Sequence, residues 1–406
     1  MATEPILATV AEALELPAVP DSWSVHWEAA TASYPGAGTI EFLQPGFIRS
    51  AGAYARLPQD KLDCIVQTAD LIVNDENWAR LAWLWHYILF VARVKGEPVG
   101  AWPMPANRGP LAAGLFPAVV LLSGTPRLQA LHAERGIPEA IVADTMWDVN
   151  NSMNIFERRN GRPGMGMRYM GWLMNHYRAE LYRLGRLQFG IRMFGQHVHV
   201  YRHTGDGRIT ALSAPGLIYR RDGLIDGTNN RFDLDHRWTA ILQEHDGRIT
   251  GHPISEDGYA SRETVTLDLA EWQCILTPGD PVYDVHIPAD GRLTADLYEA
   301  SYVQASPFYS THYPELKFKA YVCSSWLLDP QLRTLLPRSA NIVQFQSQFH
   351  LYPIGGGDDS FYNFLFDCNV CPVEQLPEQS SMQRTVKDYM LRGGQMRAMG
   401  GFKLLP

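Results

Sequence analysis

Asp284-Val285-His286-Ile287-Pro288 and Cys323-Ser324-Ser325-Trp326-Leu327-Leu328-Asp329-Pro330 decide how this chain reads. Each phrase closes a short apolar run at a polar, sterically defined turn, and the residues between them suffice for one crossover helix. A crossover of that length joins parallel neighbours on one sheet. The two phrases therefore predict a strand, a helix and a second strand whose ends lie side by side.

Working outward, the sequence predicts a strand over 281–287, a helix from Thr294 to about Ala305, a strand over 318–323, a helix over 327–336 and a strand over 341–349. In the first helix Leu297, Tyr298, Ser301, Tyr302 and Ala305 share one side, with Thr294 placed as its cap. Phe402-Lys403-Leu404-Leu405 supplies a last strand. Upstream, Leu187, Phe189, Ile191 and Met193 alternate with polar or small residues, as do Val198 and Val200. That period of two gives two strands joined at Phe194-Gly195-Gln196. Shorter strands over 209–212, 217–219 and 265–269, with Asp-Gly turns at 206–207, 222–223, 246–247 and 257–258, make the middle strand-rich.

The N-terminal part reads differently. Helices fit 5–14, 58–73 and 76–94, and the apolar segment 115–122 is expected to be helical after Pro117. Ile137-Pro138-Glu139 starts another helix. A further one is expected over 167–184, where Tyr169, Leu173, Tyr177, Leu181 and Leu184 recur at helical spacing before Gly185 as C-cap. The resulting fold class is α+β, with a helical domain over 1–135 and a mixed-sheet α/β domain over 136–406.

Composition narrows the partner. The 406 residues carry 35 basic and 43 acidic side chains, a formal charge of -8, with no long basic run, which argues against nucleic acid and anionic membrane. The most apolar stretch, 81–92, contains His86 and falls short of the roughly 20 residues a membrane span needs. Five scattered cysteines, Cys64, Cys274, Cys323, Cys368 and Cys371, fit a reducing compartment, and no basic n-region with an apolar signal core opens the chain. The expectation is a cytoplasmic protein with a small-molecule partner.

The chemistry centres on the first phrase. Asp284 and His286 share one strand face, opposite Tyr283, Val285 and Ile287. An imidazole titrating near about 6.5 can take a proton at neutral pH, with Asp284 beside it. The plainer reading is a strand-end histidine satisfying local hydrogen bonds. Cys323 reads as a small buried group, Ser324 and Ser325 as caps of the next helix, and Asp329 as a carboxylate favoured in its first turn. Trp326 reads as either a ligand wall or core. His197, His199 and His203 do not secure converging ligands, and Cys368-Asn369-Val370-Cys371 lacks a second pair, so no metal is expected. Arg158, Arg159 and Arg162 fit a pyrophosphate-holding loop or a solvated one, and match no Walker loop.

Taken together, Leu184-Gly185-Arg186-Leu187-Gln188-Phe189, Gly279-Asp280-Pro281, Val285-His286-Ile287-Pro288, Cys323 through Pro330, Leu335-Leu336-Pro337, Asn341-Ile342 and Phe345-Gln346 resemble the bacterial acyltransferase-domain proteins. These pair a helical N-acyltransferase N-terminal domain with a GNAT-like domain, and the likeness covers nearly the whole chain. The resemblance implies that the strands over 281–287 and 318–323 splay apart, that the pantetheine arm of an acyl thioester lies between them, and that an amine attacks its carbonyl. It implies His286 as base, Asp284 as its orienting partner, and Tyr321 on the second strand as a candidate acid. Cofactor contacts are implied for Ile287, Arg292, Leu293, Thr294, Ser324 and Trp326, with the helix from Thr294 offering amides to phosphate.

The loop Pro288-Ala289-Asp290-Gly291-Arg292-Leu293 departs from the family's Gln/Arg-x-x-Gly-x-Gly/Ala cradle and places a carboxylate where an anion binds. The donor is therefore either acyl-CoA or an acyl-carrier thioester with an acyl carrier protein as partner, and the acceptor a small polar amine such as an amino sugar. Two other readings stand beside this: a catalytically inactive binding or structural protein that keeps the fold, and a carbohydrate-active hydrolase with acidic residues in the strand-rich middle.

Overall fold

The computed structural model describes residues 6–195, 197–357 and 360–405. Pro5 and Gln196, placed above at a helix start and a strand joint, lie outside them. The chain forms two compact units, Met1–Arg183 and Leu184–Pro406.

The first unit is helical. The Asp75 carboxylate accepts the amides of Asn77 and Trp78, each at 3.1 Å, and so starts the helix Glu76–His86. That helix buries Trp78, Leu81 and Trp85 and passes into a π-helical turn, Tyr87–Val91. Trp23, Trp85 and Trp102 pack with ring centroids 5.1 to 5.7 Å apart. The helix Pro110–Leu122 runs through Pro117 instead of beginning after it. The lost backbone bond is offset by burial of nearly every residue from Ala112 onward. The stretch Pro110–Arg135 is long and apolar enough to cross a membrane, but 78% of its apolar window is buried, as in a core helix.

The helix expected over 167–184 ends at Tyr177. Ala179 takes φ +55° and breaks it, Leu181–Leu184 is a strand, and Gly185 at φ +70° turns the chain onward instead of capping a helix. The three-or-four spacing of apolar residues arose from two short elements in succession.

In the second unit β1 (Leu187–Met193), β2 (Pro281–His286), β3 (Ala320–Ser325), β4 (His350–Pro353) and β5 (Met399–Leu404) lie in the sheet order β1-β2-β3-β5-β4. Only β2 and β3 are parallel among these neighbours, and α1 (Ala295–His312) connects them. The helix expected over 327–336 is a short turn, Trp326–Leu328, and one helical turn, Leu332–Leu335, because Asp329-Pro330 interrupts it. The strand expected over 341–349 is instead a helix, Asn341–Gln346, with Val343 and Gln346 buried one turn apart. β4 follows it.

One face of the main sheet, through Val282, Val322, Tyr352 and Phe402, packs against the strand-rich middle at Val198, Val200 and Tyr219. In that middle Val198–His203, Ile209–Ser213, Pro253–Ile254 and Trp272–Leu276 form an antiparallel sheet of their own. The opposite face packs against α1. Its aromatic rings contact closely: Tyr283 and Tyr321 lie 4.9 Å apart, Tyr302 and Tyr321 4.6 Å.

Candidate functional site

The two central strands part. β2 and β3 pair only at Tyr283–Tyr321 and Asp284–Val322, although β2 continues to His286 and β3 to Ser325. Beyond that point each keeps its outer partner: His286 stays in register with Gln188 on β1, and Cys323 to Ser325 stay with Gly401 to Met399 on β5. A frayed sheet would lose its outer ladders too; here only the central ladder opens. The facing edges carry backbone groups released from pairing, which a ligand with its own amides and carbonyls can satisfy.

Asp284 and His286 stand at this opening on the same face. The Nε2 of His286 lies 3.2 Å from Asp284 Oδ2, and Arg192 Nη1 lies 3.3 Å from the same oxygen. Burial opposes ionisation of Asp284, yet His286 and Arg192 outweigh it and hold its carboxyl below the ordinary range. The imidazole is 32% exposed, so it is held from one side and reachable from another. Arg192 also lines a cavity of about 210 Å³ with His197, Val322, Ser324 and Tyr352. Burial, and then Arg192, shift His197 toward its neutral form.

The loop between β2 and α1 is organised by a residue absent from the sequence-based site. The guanidinium of Arg186 is buried and donates from Nε to the carbonyl of Arg292 at 2.8 Å, and from Nη2 to those of Pro288 and Gly291, each at 2.7 Å. Its Nη1 lies 3.8 Å from Asp290 Oδ1, which offsets the carboxylate that made this loop look hostile to an anion. With these carbonyls drawn inward, the amides of Gly291, Arg292, Leu293 and Thr294 meet no hydrogen-bond partner among the described residues. They run straight into the open N–H groups of α1. Thr294 does occupy the N-cap position, but through its backbone: its side chain makes no capping bond, and its carbonyl accepts from Leu297 and Tyr298.

The other expected site residues divide by face and depth. Ile287 follows β2 half-buried, Arg292 is exposed on the loop, and Leu293 is buried, so that any contact it offers is through its backbone. Ser324 is exposed on β3 and lines the cavity. Trp326 lies in a separate apolar cluster with Leu332, Phe361 and Val386; its ring is core. Cys323 is buried and its thiol is pushed up by burial and by the Asp284 charge, which leaves it a packing residue. Tyr321 donates to the carbonyl of Tyr302 at 3.2 Å on the α1 side, away from His286. Ser325 caps as expected, accepting the Leu327 amide at 3.1 Å.

The histidines and arginines elsewhere have local roles. His203 pairs with Asp206 at 2.8 Å, and Arg162 donates to the Pro110 carbonyl at 2.6 Å. No group of three metal-ligating side chains converges among the described residues. Arg192 and Arg186 were legible only as polar residues in and before a strand. The signal that was available is that Arg192 falls on the same strand face as Gln188 and pairs with Val282, two residues from Asp284 on the neighbouring strand.

A parallel pair of strands joined by one helix and parting at a histidine defines a split-sheet α/β class. Over residues 181–403 the sequence matches the GNAT-like C-terminal domain, and over 47–179 the N-acyltransferase N-terminal domain. The chain belongs to the family that these domains define, with a helical N-acyltransferase N-terminal domain ahead of a GNAT-like domain. Among solved structures, an acyltransferase in complex with decanoyl-CoA and teicoplanin is 23% identical, over 98% of this chain and 99% of that one, with a TM-score of 0.67. An acyltransferase in complex with decanoyl-CoA is 24% identical over the same shares, with a TM-score of 0.65. A mutant acyltransferase in complex with octanoyl-CoA is 23% identical over 98% and 99%, with a TM-score of 0.67. At these identities the likeness shows the fold. No match was found among curated proteins.

Proposed function

We propose that the protein is an N-acyltransferase that moves an acyl group from an acyl-CoA thioester to the amine of a small polar acceptor. The observation that carries the reading is the opening between β2 and β3 while both outer ladders persist. Family membership supports the reaction class, and the solved relatives that hold decanoyl-CoA or octanoyl-CoA support the donor class. The unpartnered amides of 291–294 and the α1 N-terminus suit the donor's phosphates.

The chemistry follows from the Asp284–His286 pair. With Asp284 ionised beside Nε2, the His286 imidazole is oriented to act as the base. The imidazole takes a proton from the acceptor's ammonium, directly or through one water. The amine nitrogen attacks the thioester carbonyl, the C–N bond forms, and the negative charge on oxygen is met by backbone N–H groups on the parted edges. Collapse breaks the C–S bond, and the nitrogen, positive since the attack, gives up its second proton through water to the departing thiolate. The thiolate needs no side-chain acid, which agrees with the position of Tyr321 on the other face.

The test is to incubate the purified protein with acetyl-, octanoyl- and decanoyl-CoA, an acyl carrier protein charged with octanoate, and a panel of amino sugars, and to follow thiol release and acylated product by mass spectrometry. Amide product with release of one thiol is the expected result. Thioester binding without product would place the protein among inactive binders, and neither binding nor product by folded protein would overturn the reading.

A further inference from the structure

A second cavity of the Leu184–Pro406 unit, about 220 Å³, is lined by residues that the parted strands do not use, among them Arg220, Asp222, Arg231, Gln331, Tyr389 and Arg397. It is a constructed site. Asp329, 0% exposed, holds two of its walls at once. Its Oδ1 accepts the Gln331 amide at 3.1 Å and Arg397 Nε at 3.3 Å; its Oδ2 accepts the Arg397 amide at 3.0 Å and Gln331 Nε2 at 2.9 Å. Arg220 is fixed in the same manner: Nε and Nη2 grip Asp222 at 3.2 and 2.8 Å, and Nη1 donates to the Thr228 and Arg231 carbonyls at 3.3 and 3.4 Å. Gly394 lets the chain close over the Tyr389 ring, since a Cβ there would lie 2.3 Å from Tyr389 Cζ.

The charges decide what fits. Arg220 is balanced by Asp222 and Arg397 by Asp329. Arg231 forms no side-chain hydrogen bond or ion pair among the described residues, so the lining taken together with the buried Asp329 behind Arg397 carries one net positive charge. A monoanion is neutralised there. A phosphate monoester, at roughly -1.5 to -2, would leave negative charge uncompensated in a partly enclosed space. The volume is below the roughly 300 Å³ at which pockets for drug-sized ligands begin, and the Tyr389 hydroxyl, Gln331 amide and Asp222 carboxylate offer both donors and acceptors.

We propose that this cavity binds a small hydroxylated carboxylate of sugar-acid size, with Arg231 pairing its carboxylate and Tyr389, Gln331 and Asp222 meeting its hydroxyls. The site is independent of the transferase reading, and its test uses no acyl donor.

The experiment is calorimetric titration of the full chain with glucuronate, glucose and glucose 6-phosphate, repeated on Arg231→Gln and Arg231→Lys. The Arg231 side chain is exposed and only its backbone serves the fold, so both variants should stay folded, which circular dichroism checks. Glucuronate should bind saturably and at least about tenfold more tightly than glucose; Arg231→Gln should remove about tenfold of that affinity, and Arg231→Lys should keep part of it. Equal binding of glucuronate and glucose, tighter binding of glucose 6-phosphate, or glucuronate binding untouched by Arg231→Gln would each overturn the proposal.

Discussion

His286 Nε2 and Asp284 Oδ2 are 3.2 Å apart at the point where β2 leaves β3. The same oxygen faces Arg192, so one carboxylate orients the imidazole while a guanidinium keeps it ionised. Removing the imidazole should therefore abolish the base and little else. His286→Gln is expected to lower kcat by about 10²–10⁴-fold with a small change in donor KM. Steady-state kinetics on a variant with wild-type circular dichroism checks it; unchanged turnover would remove His286 from the mechanism.

The acid limb of stability offers a test that needs no substrate. The Asp284 carboxyl is held below its usual range by His286 and Arg192 against the pull of burial. A depressed folded-state pKa contributes stability that is fully present above the unfolded value, about 3.9, and is lost as pH falls through the folded value. Asp284→Asn removes that contribution. Its Tm should fall less steeply than the wild type's below about pH 4, and overlapping acid limbs would show that the pair does not hold the carboxyl down.

Much of this site could be read from the residues, and the part that could not has a physical cause. The alternation around Asp284 and His286 sets both on one face, because a strand's period leaves no other choice. The crossover helix was equally legible from Leu297 to Ala305, though it runs on through Pro307 to His312. Asn341 to Phe349 misled because an apolar run this short suits either period; burial at Val343 and Gln346 resolved it as helix. Arg186 was unreadable in principle. Its three acceptors are backbone carbonyls more than a hundred residues away, which no side-chain pattern records.

Gly400 tests whether the cavity beside the opening must keep its shape. It stands between Ser324 on β3 and Tyr352 on β4, and a Cβ there would lie 2.2 Å from Tyr352 Cε2. The Tyr352 ring lines the cavity that holds Arg192 and Ser324, and it is itself buried in the sheet's core. Gly400→Ala should force that ring aside, costing about 1–3 kcal/mol as overpacking does. Urea denaturation decides it, and a variant as stable as wild type would mean that the ring moves freely.

Arg186 carries the last prediction, because it explains how an acidic loop can serve an anionic donor. Its fork draws the carbonyls of Pro288, Gly291 and Arg292 inward and sits beside Asp290, and the four amides from Gly291 to Thr294 have no hydrogen-bond partner among the described residues. Arg186→Leu removes the clamp and frees the Asp290 charge. The exposed carbonyls of the loop can rehydrate, so the loss should be mainly one of order, and CoA affinity should drop by about tenfold or more. Arg186→Lys should restore little, since a single ammonium on a flexible stem does not reproduce the planar fork that reaches three carbonyls. Calorimetric titration with CoA measures both variants. If Arg186→Leu stays folded and binds CoA like the wild type, the loop amides are not the phosphate site, whatever becomes of His286.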